Sequence, residues 1–224
     1  MPETVLTGNE AVAFGALHAG ITAAYSYPGT PATEILETII AFREETGSPA
    51  AWWSTNEKTA YESGLGVSLT GGRVLVAMKH VGLNVAADPF INSAMAKLNG
   101  GLVLAVADDP GMHSSQNEQD SRYYADFARI ICLEPSSQQE AYDMTRLGFE
   151  LSETYRMPVM VRLVTRVSHG RTTIAFGGIV SENSHRPQQH LQNEWVLLPS
   201  ISRVLWAELV AQQRVFRELS EHSQ

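Results

Sequence analysis

The sequence predicts an α/β fold: a three-layer α/β/α domain built on a mostly parallel, six-stranded sheet. Two observations carry this reading. Six short apolar or β-branched runs alternate with helical patterns, which is the succession that builds a parallel sheet covered on both faces. Apolar residues make up 44% of the 224, enough for one buried core of roughly 150–200 residues and an appendage.

The six strand candidates are "TAAYSYP", "AAWWST", "RVLVAM", "LVLAVA", "IICL" and "PVMVRLV". Between the first two, "TPATEILETIIAFREETG" reads as a helix with Pro31 in its first turn, where a missing N–H costs nothing. After the second, a helix opens near Glu57, and its small residues Gly64 and Gly66 permit close packing. "SQQE" (137–140) is a capping box that opens a helix reaching about Tyr155. Pro158 then restarts an extended segment.

This domain is expected to span residues 1–171. The polar stretch beginning near Gly177, "GGIVSENSHRPQQHLQNE", reads as a linker, assigned to 172–198. Residues 199–224 place Leu205, Leu209, Phe216 and Leu219 at helical spacing, predicting an amphipathic helix that docks on this domain or on a partner.

Several classes of function are excluded at this level. A formal net charge of −8, with 16 scattered Lys and Arg, argues against nucleic-acid binding, which needs clustered cations. The apolar runs fall far short of the roughly 20 residues that span a bilayer, and "MPETVLTGNE" lacks the regions of a signal peptide, so a cytoplasmic location is expected. The single cysteine, Cys132, cannot form an internal disulfide or hold an iron–sulfur cluster by itself, and reads as a small core residue.

In an open parallel sheet, ligands gather at the carboxyl ends of the strands, and four loops there are unusual. "SYPGTP" (26–31) can aim Thr30 and backbone N–H groups at an anion, although turn chemistry alone also explains its Pro and Gly. Glu57 starts a helix immediately after "AAWWSTN"; it is either an acid favouring the helix dipole or a catalytic group. Lys79 and His80 follow an apolar strand, where two potential cations suit a carboxylate substrate. "ADDPGMHSSQNEQDSRYY" (107–124) is long and polar; its Asp108, Asp109, His113, Glu118 and Asp120 fit no common metal-ligand spacing, and it reads as an active-site loop.

Taken together, "YPGTP", "STNEK", "MKHVGLNVAADP", "DDPGMHSSQNEQD", "LEPS" and "TRVSH" resemble the alpha subunits of the indolepyruvate:ferredoxin oxidoreductases, within the 2-oxoacid:ferredoxin oxidoreductase family. The resemblance covers about residues 5–170 and, weakly, "NEWVLLP". It implies the pyrimidine-binding domain of a thiamine diphosphate enzyme that oxidatively decarboxylates an aryl 2-oxo acid to an acyl-CoA. It implies that Glu57 contacts the aminopyrimidine ring and favours the imino tautomer, with Pro28, Gly29, Gly82 and Asn84 also near the cofactor. Thr30, Lys79, His80, Gln116 and Asn117 would face the substrate.

The sequence departs from that family in having no "GDG" with a downstream "NN", the signature that holds magnesium and diphosphate, and no ferredoxin-like cysteine clusters. Half an active site is therefore expected. Mg2+, iron–sulfur clusters and the diphosphate-binding domain would come from a partner or a missing domain in a homo- or hetero-oligomer. A non-oxidative decarboxylase subunit of the sulfopyruvate or phosphonopyruvate type, or a non-catalytic interaction module, are the competing readings.

Overall fold

The computed structural model describes residues 3–180 and 194–223. The chain runs β1 (Glu3–Thr7), α1 (Gly8–His18), β2 (Ala23–Ser26), α2 (Thr33–Thr46), β3 (Ala50–Trp53), α3 (Glu57–Leu69), β4 (Val74–Lys79) and α4 (His80–Ser93). It continues through β5 (Leu102–Asp108), α5 (Arg122–Ala128), β6 (Cys132–Leu133), α6 (Gln138–Tyr155), β7 (Val159–Val164), α7 (Thr165–His169), β8 (Arg171–Ala175) and α8 (Pro199–His222). The six predicted runs form one sheet in the order β3-β2-β4-β5-β7-β6, and every pairing in it is parallel.

Alternation along the central strands divides the apolar residues between two cores. Leu75 and Ala77 of β4, with Val103, Ala105 and Ala107 of β5, face α1, α2 and α6, where Val12, Ile35, Ile39 and Phe149 are fully buried. Val74, Val76 and Met78, with Leu102, Leu104 and Val106, face Tyr61 of α3, Leu83 and Phe90 of α4, and Leu209 of α8. Each large apolar side chain removed from water in this way contributes about 1.5–3 kcal/mol. Because both faces are covered, the strands read as continuous apolar runs rather than alternating ones.

Four local expectations change. β1 and β8, which lack a distinctive pattern, pair antiparallel in a separate two-stranded sheet. The segment directly after Arg171 is therefore strand through Ala175, not linker; of the rest of that linker, residues 181–193 lie outside the described residues. Pro31 stands before its helix, since α2 begins at Thr33 with Ala32 as N-cap and ends on the left-handed Gly47. A Cβ on Gly66 would meet nothing within 4 Å, whereas one on Gly64 would lie 2.5 Å from Val76 Cγ2. Only Gly64 lets α3 approach β4.

Half of the capping box read at Ser137 forms: its hydroxyl accepts from Glu140 N–H and starts α6, while the Glu140 carboxylate accepts from Ser136 N–H and Oγ. A complete capping box, unforeseen, starts α1, where Thr7 accepts from Glu10 N–H and the Glu10 carboxylate accepts from Thr7 N–H at 2.7 Å. α8 docks on the domain through buried Leu205 and Leu209, and Phe216 packs edge-on against Tyr155 of α6. Phe216 and Leu219 also line a cavity with Ile130, Ile131 and Cys132. Burial, followed by the charge of Glu134, pushes the Cys132 thiol up to about 12, in keeping with a core role.

The two glycines of α3 give a paired test. Gly64→Ala is expected to lower stability by about 1–3 kcal/mol through overpacking, a fall in Tm of roughly 2–4 °C per kcal/mol. Gly66→Ala is expected to raise stability by about 0.5–1 kcal/mol, because it adds helix propensity in open space. Thermal denaturation of both variants checks the contrast, and equal effects would contradict the packing described.

Candidate functional site

Three carboxyl-edge segments meet at Lys79. This residue ends β4 and is the N-cap of α4. Its methylene stem lies over Gly29, where a Cβ would be 2.9 Å from Lys79 Cδ. Its ammonium donates to the Ser114 carbonyl at 3.4 Å. The loop after β2 and the loop after β5 are thus tied to the start of α4. Gly29 is needed here because a side chain would displace the lysine stem.

Next in the chain, His80 is 1% exposed. Its Nε2 lies 3.1 Å from the Asn117 carbonyl; a carbonyl only accepts, so Nε2 carries a proton, and in the neutral ring Nδ1 is the acceptor. That Nδ1 is buried without a hydrogen-bond partner. Asn117 meets His80 through its main chain, while its side-chain oxygen accepts from Gln119. Asn84, one helical turn beyond His80, accepts from Tyr124 Oη at 2.6 Å and links α4 to α5. Pro28, Thr30 and Gln116 are exposed.

Glu57 opens α3, but it is not the cap. Asn56 holds that role, its side chain accepting from Thr59 N–H at 2.8 Å. The half-buried Glu57 side chain instead lies directly on Gly82 of α4: a Cβ there would be 2.6 Å from both Glu57 Cγ and Oε1. The carboxylate thus occupies space that exists only because residue 82 has no side chain. Glu57 and Gly82, 25 positions apart by their numbers, are brought into contact by the packing of α3 on α4.

The long loop after β5 is anchored from within. Asp109, 1% exposed, accepts from Ser114 N–H at 2.8 Å, from Ser115 Oγ at 2.7 Å and from Thr165 Oγ1 at 2.8 Å. Burial alone would raise its pKa, but the donors from Ser114, Ser115, Thr165 and the His113 backbone reverse this and hold it below the usual carboxylate range. Asp108, fully buried, accepts from Ser121 N–H at 3.0 Å and from Arg162 Nε at 2.7 Å. Arg162 also bonds Glu134 and lies 3.6 Å from Asp120. These acids are therefore occupied by structural donors. Among the described residues no group of three or more His, Cys, Asp or Glu is placed to hold a metal ion.

Sequence reasoning passed over Arg162, Asn56 and Tyr124. A signal for the first was present: an arginine inside the apolar run "PVMVRLV" must find buried counter-charge.

The arrangement fits the aminopyrimidine end of thiamine diphosphate: one carboxylate on a backbone-lined seat, with an unpaired buried imidazole nitrogen on the helix that supplies the seat. The described acids do not gather into a seat for the magnesium ion.

Comparison with known proteins places the chain in a family. The family model described as pyruvate flavodoxin/ferredoxin oxidoreductase, thiamine diphosphate-binding, matches residues 14–202. Indolepyruvate oxidoreductase subunit IorA of Thermococcus kodakarensis is 49% identical over 178 residues, covering 80% of this chain and 27% of that protein. The IorA subunit of Methanothermobacter thermautotrophicus is 39% identical over 219 residues, 98% of this chain and 35% of that one. The chain thus spans about a third of the length of these relatives. A 2-oxoglutarate:ferredoxin oxidoreductase from Magnetococcus marinus, solved with 2-oxoglutarate, coenzyme A and succinyl-CoA, superposes with a TM-score of 0.78. At 17% identity, covering 99% of this chain and 46% of that one, it shares the fold.

Two measurements follow. Gly82→Ala is expected to push the flexible Glu57 side chain aside rather than unfold the domain, so Tm should shift by only a few degrees while affinity for thiamine diphosphate in the assembled protein falls at least about tenfold; unchanged affinity would contradict the seat. Asp109→Ala should cost about 1–3 kcal/mol at neutral pH. The depressed native pKa of Asp109 makes its contribution complete above the ordinary aspartate value of about 3.9 and lost as pH falls through the native value. Urea titrations at pH 7 and in acid should therefore show the two proteins converging below about pH 4.

Proposed function

Because the chain belongs to the pyruvate flavodoxin/ferredoxin oxidoreductase family, matching its thiamine diphosphate-binding domain, we propose that it forms the pyrimidine-binding half of an active site that oxidatively decarboxylates an aryl 2-oxo acid of the indolepyruvate kind. The products are carbon dioxide and an acyl-CoA, and two electrons pass singly to a ferredoxin-type acceptor. The observation that carries the reading is the Glu57 carboxylate seated on Gly82 at the carboxyl edge of the sheet.

When bound, thiamine diphosphate supplies a stabilised carbanion and an electron sink for decarboxylation. This chain's residues act around it. Glu57 holds or gives up a proton at a ring nitrogen and so sets the tautomer on which deprotonation depends. Gly82 keeps the approach to that carboxylate open, and Pro28, Gly29 and Asn84 complete the wall near the ring. The Lys79 ammonium, tethered to the Ser114 carbonyl, balances the substrate carboxylate. Thr30 binds the oxo-acid end, and Gln116 and Asn117 close the cavity from the long loop. His80, fixed through Nε2 on Asn117, offers Nδ1 to a donor in the same cavity.

The magnesium ion and diphosphate, on this reading, are held by residues other than those described, in a further domain or a partner subunit that also carries or contacts the iron–sulfur clusters. The share of the relatives' length that this chain spans supports such an arrangement.

Replacing Glu57 tests the proposal. In the assembled enzyme, Glu57→Gln is expected to lower kcat about 10²–10⁴-fold with the fold intact. Wild-type turnover in that variant would sink the assignment. Accumulation of an aldehyde with no acceptor reduction by the unmodified enzyme would instead identify a non-oxidative decarboxylase.

A further inference from the structure

Thr30 sits in the loop between β2 and α2, and that loop is held by more than its own turn. Gly29 N–H donates to Thr33 Oγ1 at 3.0 Å, and Ala32 N–H donates to the Gly29 carbonyl at 2.9 Å. Both bonds are local. From outside comes Asn9 of α1, whose Nδ2 donates to the Pro31 carbonyl at 2.7 Å and to Glu34 Oε2 at 2.7 Å.

Asn9 is 0% exposed, and its Oδ1 is buried with no hydrogen-bond partner. A buried amide oxygen without a donor costs about 1–3 kcal/mol, so the site retains a polar side chain at some expense to stability. What that side chain achieves is the fixing of one carbonyl, on the residue adjoining Thr30. Its position is rigid in turn: α1 abuts α7 so closely that a Cβ on the neighbouring Gly8 would lie 2.1 Å from the Val167 carbonyl. A rigid helix thus sets the height of the loop above the sheet, and Thr30, exposed between Gly29 and Pro31, presents its hydroxyl there.

We propose that Asn9 is a positioning residue for substrate recognition: by donating to the Pro31 carbonyl it fixes Thr30 against the oxo-acid end of the substrate. This rests on the assignment of Thr30 to the substrate made above. Asn9 itself touches neither substrate nor cofactor.

The test compares Asn9→Asp, which keeps the shape and loses the donor, with Asn9→Ala and Thr30→Val in the active holoenzyme. The readouts are KM and kcat for indolepyruvate, thiamine diphosphate affinity and Tm. Both Asn9 variants should raise KM about tenfold or more, parallel to Thr30→Val, with cofactor affinity within about twofold of wild type. Folded Asn9 variants with unchanged KM overturn the proposal, whatever their Tm. Should neither fold, Asn9→Ser decides, since the shorter polar side chain withdraws the donor from the Pro31 carbonyl with less loss of polarity: a rise in KM of about threefold supports the proposal and an unchanged KM overturns it. A Thr30→Val enzyme with wild-type KM would instead remove the underlying assignment, and with it the reason for the inference.

Discussion

Arg162 occupies the middle of an interior parallel strand with its side chain 7% exposed, opposite Val106 of the neighbouring strand. A guanidinium in that position is tolerable only because Asp108, Glu134 and Asp120 answer its charge. Such an ion pair adds little net stability over a well-packed apolar pair, but removing one partner strands the other at a cost of about 3–5 kcal/mol. Its value lies in what it orders. Asp108 accepts from both Arg162 and Ser121, so the far end of the long loop after β5 is pinned to the sheet. Asp109 pins the near end through Ser114 and Ser115. Between the pins, the loop offers the Ser114 and Asn117 carbonyls to Lys79 and His80. The polar wall of the site is thus a consequence of a charge buried beneath it.

The parts of this molecule that could be read from sequence are those whose signal is local. All six strands of the main sheet were visible as short apolar or β-branched runs, most clearly β4 and β5, whose runs are continuous because both faces are buried. Glu57, Lys79 and His80 were visible because strand ends direct them to one edge. β1 and β8 were not, since "ETVLT" and "RTTIA" are short, half-polar and paired only with each other across most of the chain. Gly64 and Gly66 look alike in sequence; what distinguishes them is Val76, which only folding brings near. The roles of Asn56 and Asn9 were hidden for the same reason in different degrees, one needing a helix boundary placed to the residue and the other a contact between α1 and the loop before α2.

Glu57 shows how a site can be defined by subtraction. Its neighbour Asn56 supplies the helix cap, which leaves the carboxylate uncommitted to local structure. Gly82 then provides a place for it on α4. Both features concern what does not occupy the acid: neither a capping bond nor a facing side chain uses the space around it. It is on that freedom that the role proposed for Glu57 rests.

The last strand of the main sheet, β6, is two residues long and lies at one flank, with β3 at the other. The cavity beside β6 is bordered by Phe216 and Leu219 of α8. A strand so short, next to a docked helix, offers almost no template on which a foreign β-strand can pair, and this is one of the ways in which sheet proteins resist edge-to-edge aggregation. The shortness of β6 and the helix beside it therefore limit edge-to-edge pairing on this flank, far from Glu57 and Lys79 in sequence.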